Sequence, residues 1–478
     1  MAVGGHSRFF NLDERKLAVA VFALFSSWML AFPFEGRILY ALTAKFNIDP
    51  QQLVFGAVAA QALGLLFWGF VIKTKKAAKR LMLCSMLLCV LASAIFFYPP
   101  SYLWNVALIC CSFFISACVV AWAYFFKSST PTNERIKTAA DGLIYTNILM
   151  IILNMVAINL SPYIGLGISM LVLGVAFVLT LLLPVNGEVA VSSSPDLMKN
   201  PIPIGKSLAF LGLFIVIITI NSGLMYQVLN PAFAHLEWLT TWYWAIPYII
   251  ALYIMKNLPR KISRSYILYV AIAMIGLSFV SFMTLDRSVL SYLVINTLML
   301  GACGVYDLFW WSILGEMLDL DKNPAKIFGI GFSANVLGVL IGGVIGKTLS
   351  AFESPQQNSA KLALAVVCVT LIILPLLHKH LATLLKDHEY LKAFSEMSVE
   401  DQDNAMVSFL RLGQLTEREN EIAALLLTGK TYRMIACELY VSENTIKTHI
   451  KNIYAKLNVQ GRAELINIML GQRIATHQ

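Results

Sequence analysis

Apolar runs of about twenty residues recur along the first four fifths of the chain, each long enough to cross a bilayer core. They fall at 17–34, 53–72, 81–98, 102–126, 141–160 and 163–184, then at 207–229, 240–255, 265–284, 289–313, 327–349 and 361–377. A looser stretch from Asn186 to Lys206, with three serines and three prolines, separates the two sets of six. The pattern predicts an all-α chain whose residues 1–377 form a polytopic membrane bundle of about twelve spans, six plus six.

Past residue 411 the period changes. Thr416 followed three residues later by Glu419 is a capping box, and Ile422, Leu425 and Leu426 then recur at helical spacing. Gly429 is placed to end that helix. A short helix from Thr431 to Leu439 follows, with Ile435, Ala436 and Leu439 on one side. Ser442 is the next N-cap, and a third helix runs from about Glu443 to Leu457. Ile446, Ile450, Ile453 and Leu457 give it a core stripe. Asn444, Lys447, Thr448, Lys451 and Ala455 fall opposite. Such a face fits a DNA major groove, where lysine reaches guanine and a threonine methyl meets thymine. A solvated face in a small bundle carries lysines too, so periodicity alone leaves both readings open.

The wording of the stretch separates them. Leu415-Thr416-x-Arg418-Glu419, Gly429, Ile435-Ala436, Leu439, Ser442-x-x-Thr445-Ile446-Lys447-x-His449, Ile453, Lys456-Leu457, Val459 and Arg462 run in order without a gap. The stretch resembles the four-helix helix-turn-helix domain of the LuxR (NarL-type) family of transcriptional regulators, placed here at 412–478. The resemblance implies base-edge contacts by Lys447, Thr448 and Lys451 and phosphate contacts by Thr445 and Lys456. It also implies a homodimer on double-stranded DNA with an inverted-repeat operator. Asn420 and Tyr432-Arg433-Met434 depart from the family's usual residues, outside the recognition helix.

Composition agrees with a membrane protein. The chain is 58% hydrophobic and 13% charged, with mean hydropathy +0.72, whereas soluble chains are roughly a quarter charged. The first apolar run lacks a small-residue cleavage site, so no signal peptide is expected. The net charge of +9 gathers in alternate loops. With a cytoplasmic N-terminus, inside loops hold Lys73, Lys75, Lys76, Lys79 and Arg80, then Lys127, Arg135 and Lys137, and Lys256, Arg260, Lys261 and Arg264. Outside loops hold only Arg37, Lys45, Arg287 and Lys361. The positive-inside rule then puts both termini in the cytoplasm of a bacterial inner membrane, where DNA is.

KTKKAAKR after the second span and KNLPRKISR after the eighth form a weak internal repeat. Six-helix halves with basic 2–3 and 8–9 loops resemble the major facilitator superfamily of transporters over about residues 10–380. The superfamily's loop motif is not kept, because Gly69 is followed by Lys73-Thr74 without an acid.

Asp307 is the clearest ionisable residue inside a span, near Trp311, and marks a candidate ligand site. Solvation at the cytoplasmic end of the span is the competing explanation. Asn221, Gln227, Asn147, Asn154 and Gln61 either line a cavity or bond between helices. Glu35 and Arg37 guard an entrance or form an interfacial pair. By resemblance to similar fused regulators the ligand is a small, aromatic molecule. Lipid is the remaining partner.

No His/Cys cluster has metal spacing, and neither metal nor cofactor is expected. No nucleophile elbow, HExxH, P-loop or carboxylate pair within the spans suggests an enzyme. Residues 378–411 form a linker. Leu377, Leu381, Leu384, His388 and Leu391 suit a dimerising stalk or an amphipathic surface helix. Ser395 to Asn404 reads as an acidic hinge.

Overall fold

A computed structural model describes residues 13–34, 36–185, 205–258, 264–349, 355–395, 415–427, 430, 432–459, 465 and 468. The chain divides into two compact units, and the second resumes at Leu376.

The first unit is a helical bundle. Its first half contains α1 (Glu14–Ala31), α2 (Arg37–Ala44), α3 (Gln51–Val71), α4 (Lys75–Ser93), α5 (Tyr102–Ser129), α6 (Arg135–Asn159) and α7 (Pro162–Leu182). The second contains α8 (Gly205–Leu224), α9 (Glu237–Trp242), α10 (Ile246–Lys256), α11 (Arg264–Thr284), α12 (Val289–Met317), α13 (Pro324–Leu349) and α14 (Pro355–Ser395). Among the described residues, ten helices are long and apolar enough to cross a membrane.

The other two expected spans differ, each for a local reason. α1 spends its first turn on Glu14, Arg15 and Lys16, started by Asp13 accepting the Arg15 amide. Phe22, Phe25 and Trp28 are buried within the bundle all the same. The run read at 240–255 is not one helix. α9 ends at Trp242 and α10 starts at Ile246 with Pro247 in its first turn, where proline's missing amide costs nothing.

Helix association within lipid rests on close packing, because lipid is as apolar as leucine. Gly69 of α3 and Gly329 of α13 show how close the two halves come. A Cβ on Gly329 would lie 2.7 Å from the Leu65 carbonyl and 2.8 Å from Gly69 Cα. The glycine that the loop motif starts from is thus used for backbone contact.

Polar groups tie the halves at one end of the bundle. Arg135, 4% exposed, donates to the Gly315 carbonyl at 2.7 Å and to both carboxylate oxygens of Asp319. Thr132 Oγ1 donates to the same carboxylate at 3.0 Å. Lys127 Nζ donates to the Leu318 carbonyl at 2.6 Å and the Asp321 carbonyl at 3.2 Å. Lys256 pairs with Asp141, which Arg15 approaches at 3.7 Å. Burial pushes the Asp319 carboxyl up, but the hydrogen bonds and charge of Arg135, with Thr132 and Lys127, outweigh it and hold the group below the usual carboxylate range. No acid in the 2–3 loop is needed for this closure.

Pro375, the last residue of the first unit, removes one hydrogen bond inside α14, which continues to Ser395. The side chains of the 378–391 heptad, the rest of the acidic hinge, Glu35 and Gly429 lie outside the described residues. The C-terminal domain has α15 (Glu417–Leu427), α16 (Tyr432–Glu438) and α17 (Glu443–Lys456). Ile422, Ala423, Leu426, Ile435, Ile446, Ile450 and Ile453 form its core, joined by Leu465. Each fully buried aliphatic side chain contributes about 1.5–3 kcal/mol. Of the expected fourth helix only Leu465 and Ile468 are described, both helical.

Candidate functional site

Two sites emerge, one in each unit. In the bundle a cavity of about 190 Å³ is lined from both halves, by α1, α3, α5 and α6 on one side and α8, α10, α12 and α13 on the other. Asp307 lies on its wall. Trp310 Nε1 donates to Asp307 Oδ1 and Tyr248 Oη to Oδ2, each at 3.0 Å. Gly304 makes the second bond possible. A Cβ there would lie 2.8 Å from the Tyr248 carbonyl and 2.9 Å from Ala251 Cβ, so only glycine lets α10 approach α12 this closely.

Aromatic rings pack around the carboxylate. Trp311 and Phe332 meet edge to face at 4.6 Å between ring centroids, and Trp310 and Phe332 at 5.2 Å. Trp311 also touches Phe22 of α1 at 5.5 Å. The aromatic cluster therefore bridges the halves.

Of the residues singled out in the sequence, Asp307, Trp311, Asn147 and Gln61 line the cavity. Asn147 also donates to the Leu143 carbonyl one turn back. Asn221 and Gln227 are not among the lining residues. Asn221 is buried, and its amide group has no partner among the described residues; Gln227 packs beside Gly346. Tyr248 escaped the sequence reading. Its only signal was an aromatic hydroxyl in a short apolar run, and its link to Asp307 crosses 59 residues.

The C-terminal site is built from its caps inward. The Thr416 amide donates to Glu419 Oε2 at 2.8 Å and the Glu419 amide to Thr416 Oγ1 at 3.3 Å, a reciprocal capping box. Glu419, 4% exposed, also accepts from Lys456 Nζ at 2.6 Å. Burial pushes its carboxyl up, but the bonds from Lys456 and Thr416 prevail and hold it low. The start of α15 is thereby tied to the end of α17. Arg418 donates to the Leu439 carbonyl at 3.0 Å, fixing α16 as well. Tyr440 turns the chain with φ 55°, and Ser442 Oγ caps α17 by accepting the Thr445 amide at 3.1 Å.

On α17 the core stripe points in, and Thr445, Lys447, Thr448 and Lys451 are exposed. Thr448 Oγ1 donates to the Asn444 carbonyl at 3.0 Å. Lys447 pairs with Glu443 at 2.8 Å. A basic, small-residue helix face on a three-helix scaffold is a groove-reading geometry.

Residues 413–469 match the family model of bacterial regulatory proteins of the luxR family. Spore germination protein GerE of Bacillus subtilis is 46% identical over 52 residues, which are 11% of this chain and 70% of that protein. The chain belongs to the LuxR family of bacterial regulatory proteins. Its LuxR domain is also 46% identical over 57 residues to the HTH-type transcriptional regulator MalT of Vibrio campbellii, 12% of this chain and 6% of MalT. Transcriptional regulatory protein DegU of Brevibacillus brevis is 35% identical over 86 residues, 36% of its length. The chain thus spans well under two thirds of MalT and DegU. LuxR membership implies DNA binding.

The rest of this LuxR-family chain has a different likeness. The human organic anion transporter MFSD10 (TETRAN) superposes with TM-score 0.61 over 76% of this chain and all of that one, at 11% identity. That likeness gives the bundle a major-facilitator fold.

Proposed function

We propose that this chain is a one-component transcriptional regulator held in the bacterial inner membrane, with both termini in the cytoplasm. The bundle binds a small molecule in its central cavity, and the LuxR domain binds an inverted-repeat operator as a homodimer. The observation that carries this reading is the joining of a DNA reader and a cavity-bearing bundle in one chain. The bias of basic residues toward alternate loops supports a reader on the side of DNA.

Within this reading, Lys447, Thr448 and Lys451 contact base edges, while Thr445 and Lys456 contact phosphate. Asp307 and Trp311 contact the ligand. Asn221 and Gln227 act behind the cavity wall, where α8 meets α13. A ligand alters DNA binding only through different affinity for two states of the bundle. The cavity is lined from both halves, so a ligand there acts on how the halves meet. Neither likeness is to an enzyme.

A reporter on the adjacent promoter, read across a panel of small molecules, tests this. A compound that switches the intact protein but not the Lys447→Ala, Lys451→Ala double variant supports it. A second reading, a secondary transporter carrying a regulatory domain, draws on the cavity carboxylate and the polar closure at one end. Accumulation of a compound that depends on Asp307, without any promoter response, favours that one.

A further inference from the structure

We propose that the cavity takes a small organic cation, an arylalkylammonium with one ring, whose nitrogen pairs with Asp307. This rests on the reading of the bundle as a ligand-binding domain and names its ligand class. Among the described residues that line the cavity, Asp307 is the only Asp, Glu, Lys, Arg or His. Both of its oxygens accept hydrogen bonds, from the Trp310 indole and the Tyr248 hydroxyl. Those two bonds aim the carboxyl group, and neutral donors leave the charge of its ionised form uncancelled. An ammonium cancels it. An organic acid entering the same space meets a like charge with no cation to offset it.

The surroundings suit the rest of such a ligand. Trp310, Trp311 and Phe332 lie within 5.9 Å of one another by ring centroids, and indole faces attract a cation beyond its pairing with the acid. The volume, about 190 Å³, exceeds the roughly 150 Å³ of an apolar cavity that admits benzene. One ring and a short chain fit. Ser26, Thr146 and Trp244 on the wall each hold a buried polar atom without a protein partner, so a polar ring substituent has groups to meet.

The test uses the full-length chain in lipid nanodiscs. Binding is read by tryptophan fluorescence for benzylamine, 2-phenylethylamine and 3-phenylpropylamine, each beside its alcohol and carboxylate counterparts. At least one amine binds about tenfold or more tightly than its counterparts. Asp307→Asn removes that preference, and Asp307→Glu, which keeps the charge, retains part of it. The proposal is overturned if no amine exceeds its counterparts or if Asp307→Asn keeps the full preference. The promoter reporter run on the same compounds separates the two readings. Amine binding with a silent promoter leaves the ligand class standing and removes the regulator. A promoter that answers only to an alcohol or acid keeps the regulator and removes the cation.

Discussion

Arg135 and Asp319 face each other as a bidentate pair, Nη1 to Oδ2 and Nη2 to Oδ1 both at 2.8 Å, and join the halves of the bundle across 184 residues. Removing the carboxylate leaves a buried guanidinium without its counter-charge. Asp319→Ala is expected to weaken the closed arrangement by about 3–5 kcal/mol. Arg135→Ala costs less, because Asp319 is partly reached by water. Faster labelling of a cysteine placed at Gly315 in the Asp319→Ala background checks it. Unchanged labelling means the pair does not hold this end shut.

The same pair sets a pH dependence. The Asp319 carboxyl lies below its ordinary value in the folded protein. Its stabilisation is therefore complete above the unfolded value, about 3.9, and is lost as pH falls through the lower folded value. Thermal unfolding in detergent is expected to show a flat contribution from pH 8 to about 5 and a loss below about 4. Asp319→Asn is expected to flatten that acid limb.

Lys447 and Lys451 lie on an exposed helix face, and Glu443 engages Lys447. Lys447→Ala is expected to lower operator affinity by about 1–3 kcal/mol with the fold intact. Glu443→Gln is expected to raise it modestly, since the lysine no longer leaves an ion pair to reach DNA. Electrophoretic mobility shifts on the promoter fragment measure both. Equal affinity for the Lys447→Ala and unaltered proteins would remove α17 as the reading helix.

Lys456 is proposed to serve two tasks. It ties down buried Glu419, and in the proposed DNA complex it is assigned a phosphate contact. Lys456→Gln is expected to reduce the salt slope of DNA binding by about one and to destabilise the domain by about 1–3 kcal/mol. Loss of stability with an unchanged salt slope would assign the residue to the Glu419 tie alone.

Gly304 is where helix packing meets the cavity. Gly304→Leu drives α10 away from α12 and is expected to break the Tyr248–Asp307 bond, lowering ligand response while the protein still inserts. Fluorescence-detected size exclusion confirms insertion, and the promoter reporter reads the response. An undiminished response would show that the Tyr248 bond does not position the acid.

The local features of this chain were legible in its order of residues. The Thr416–Glu419 box, the Ser442 cap and the Ile446–Ile450–Ile453 stripe depend on neighbours within four residues, and all are as the pattern demands. Ten of the spans need only length and apolarity. The run at 240–255 is two helices and not one; hydropathy averages over Tyr243 to Ala245, where α9 and α10 part. Contacts across long loops are decided otherwise. Which acid Arg135 meets, which hydroxyl reaches Asp307, and that Asn147 lines the cavity all depend on how the two halves close. Helical period assigns a residue to a face but not that face to a neighbour, and backbone approach at Gly69, Gly304 and Gly329 sets the neighbours.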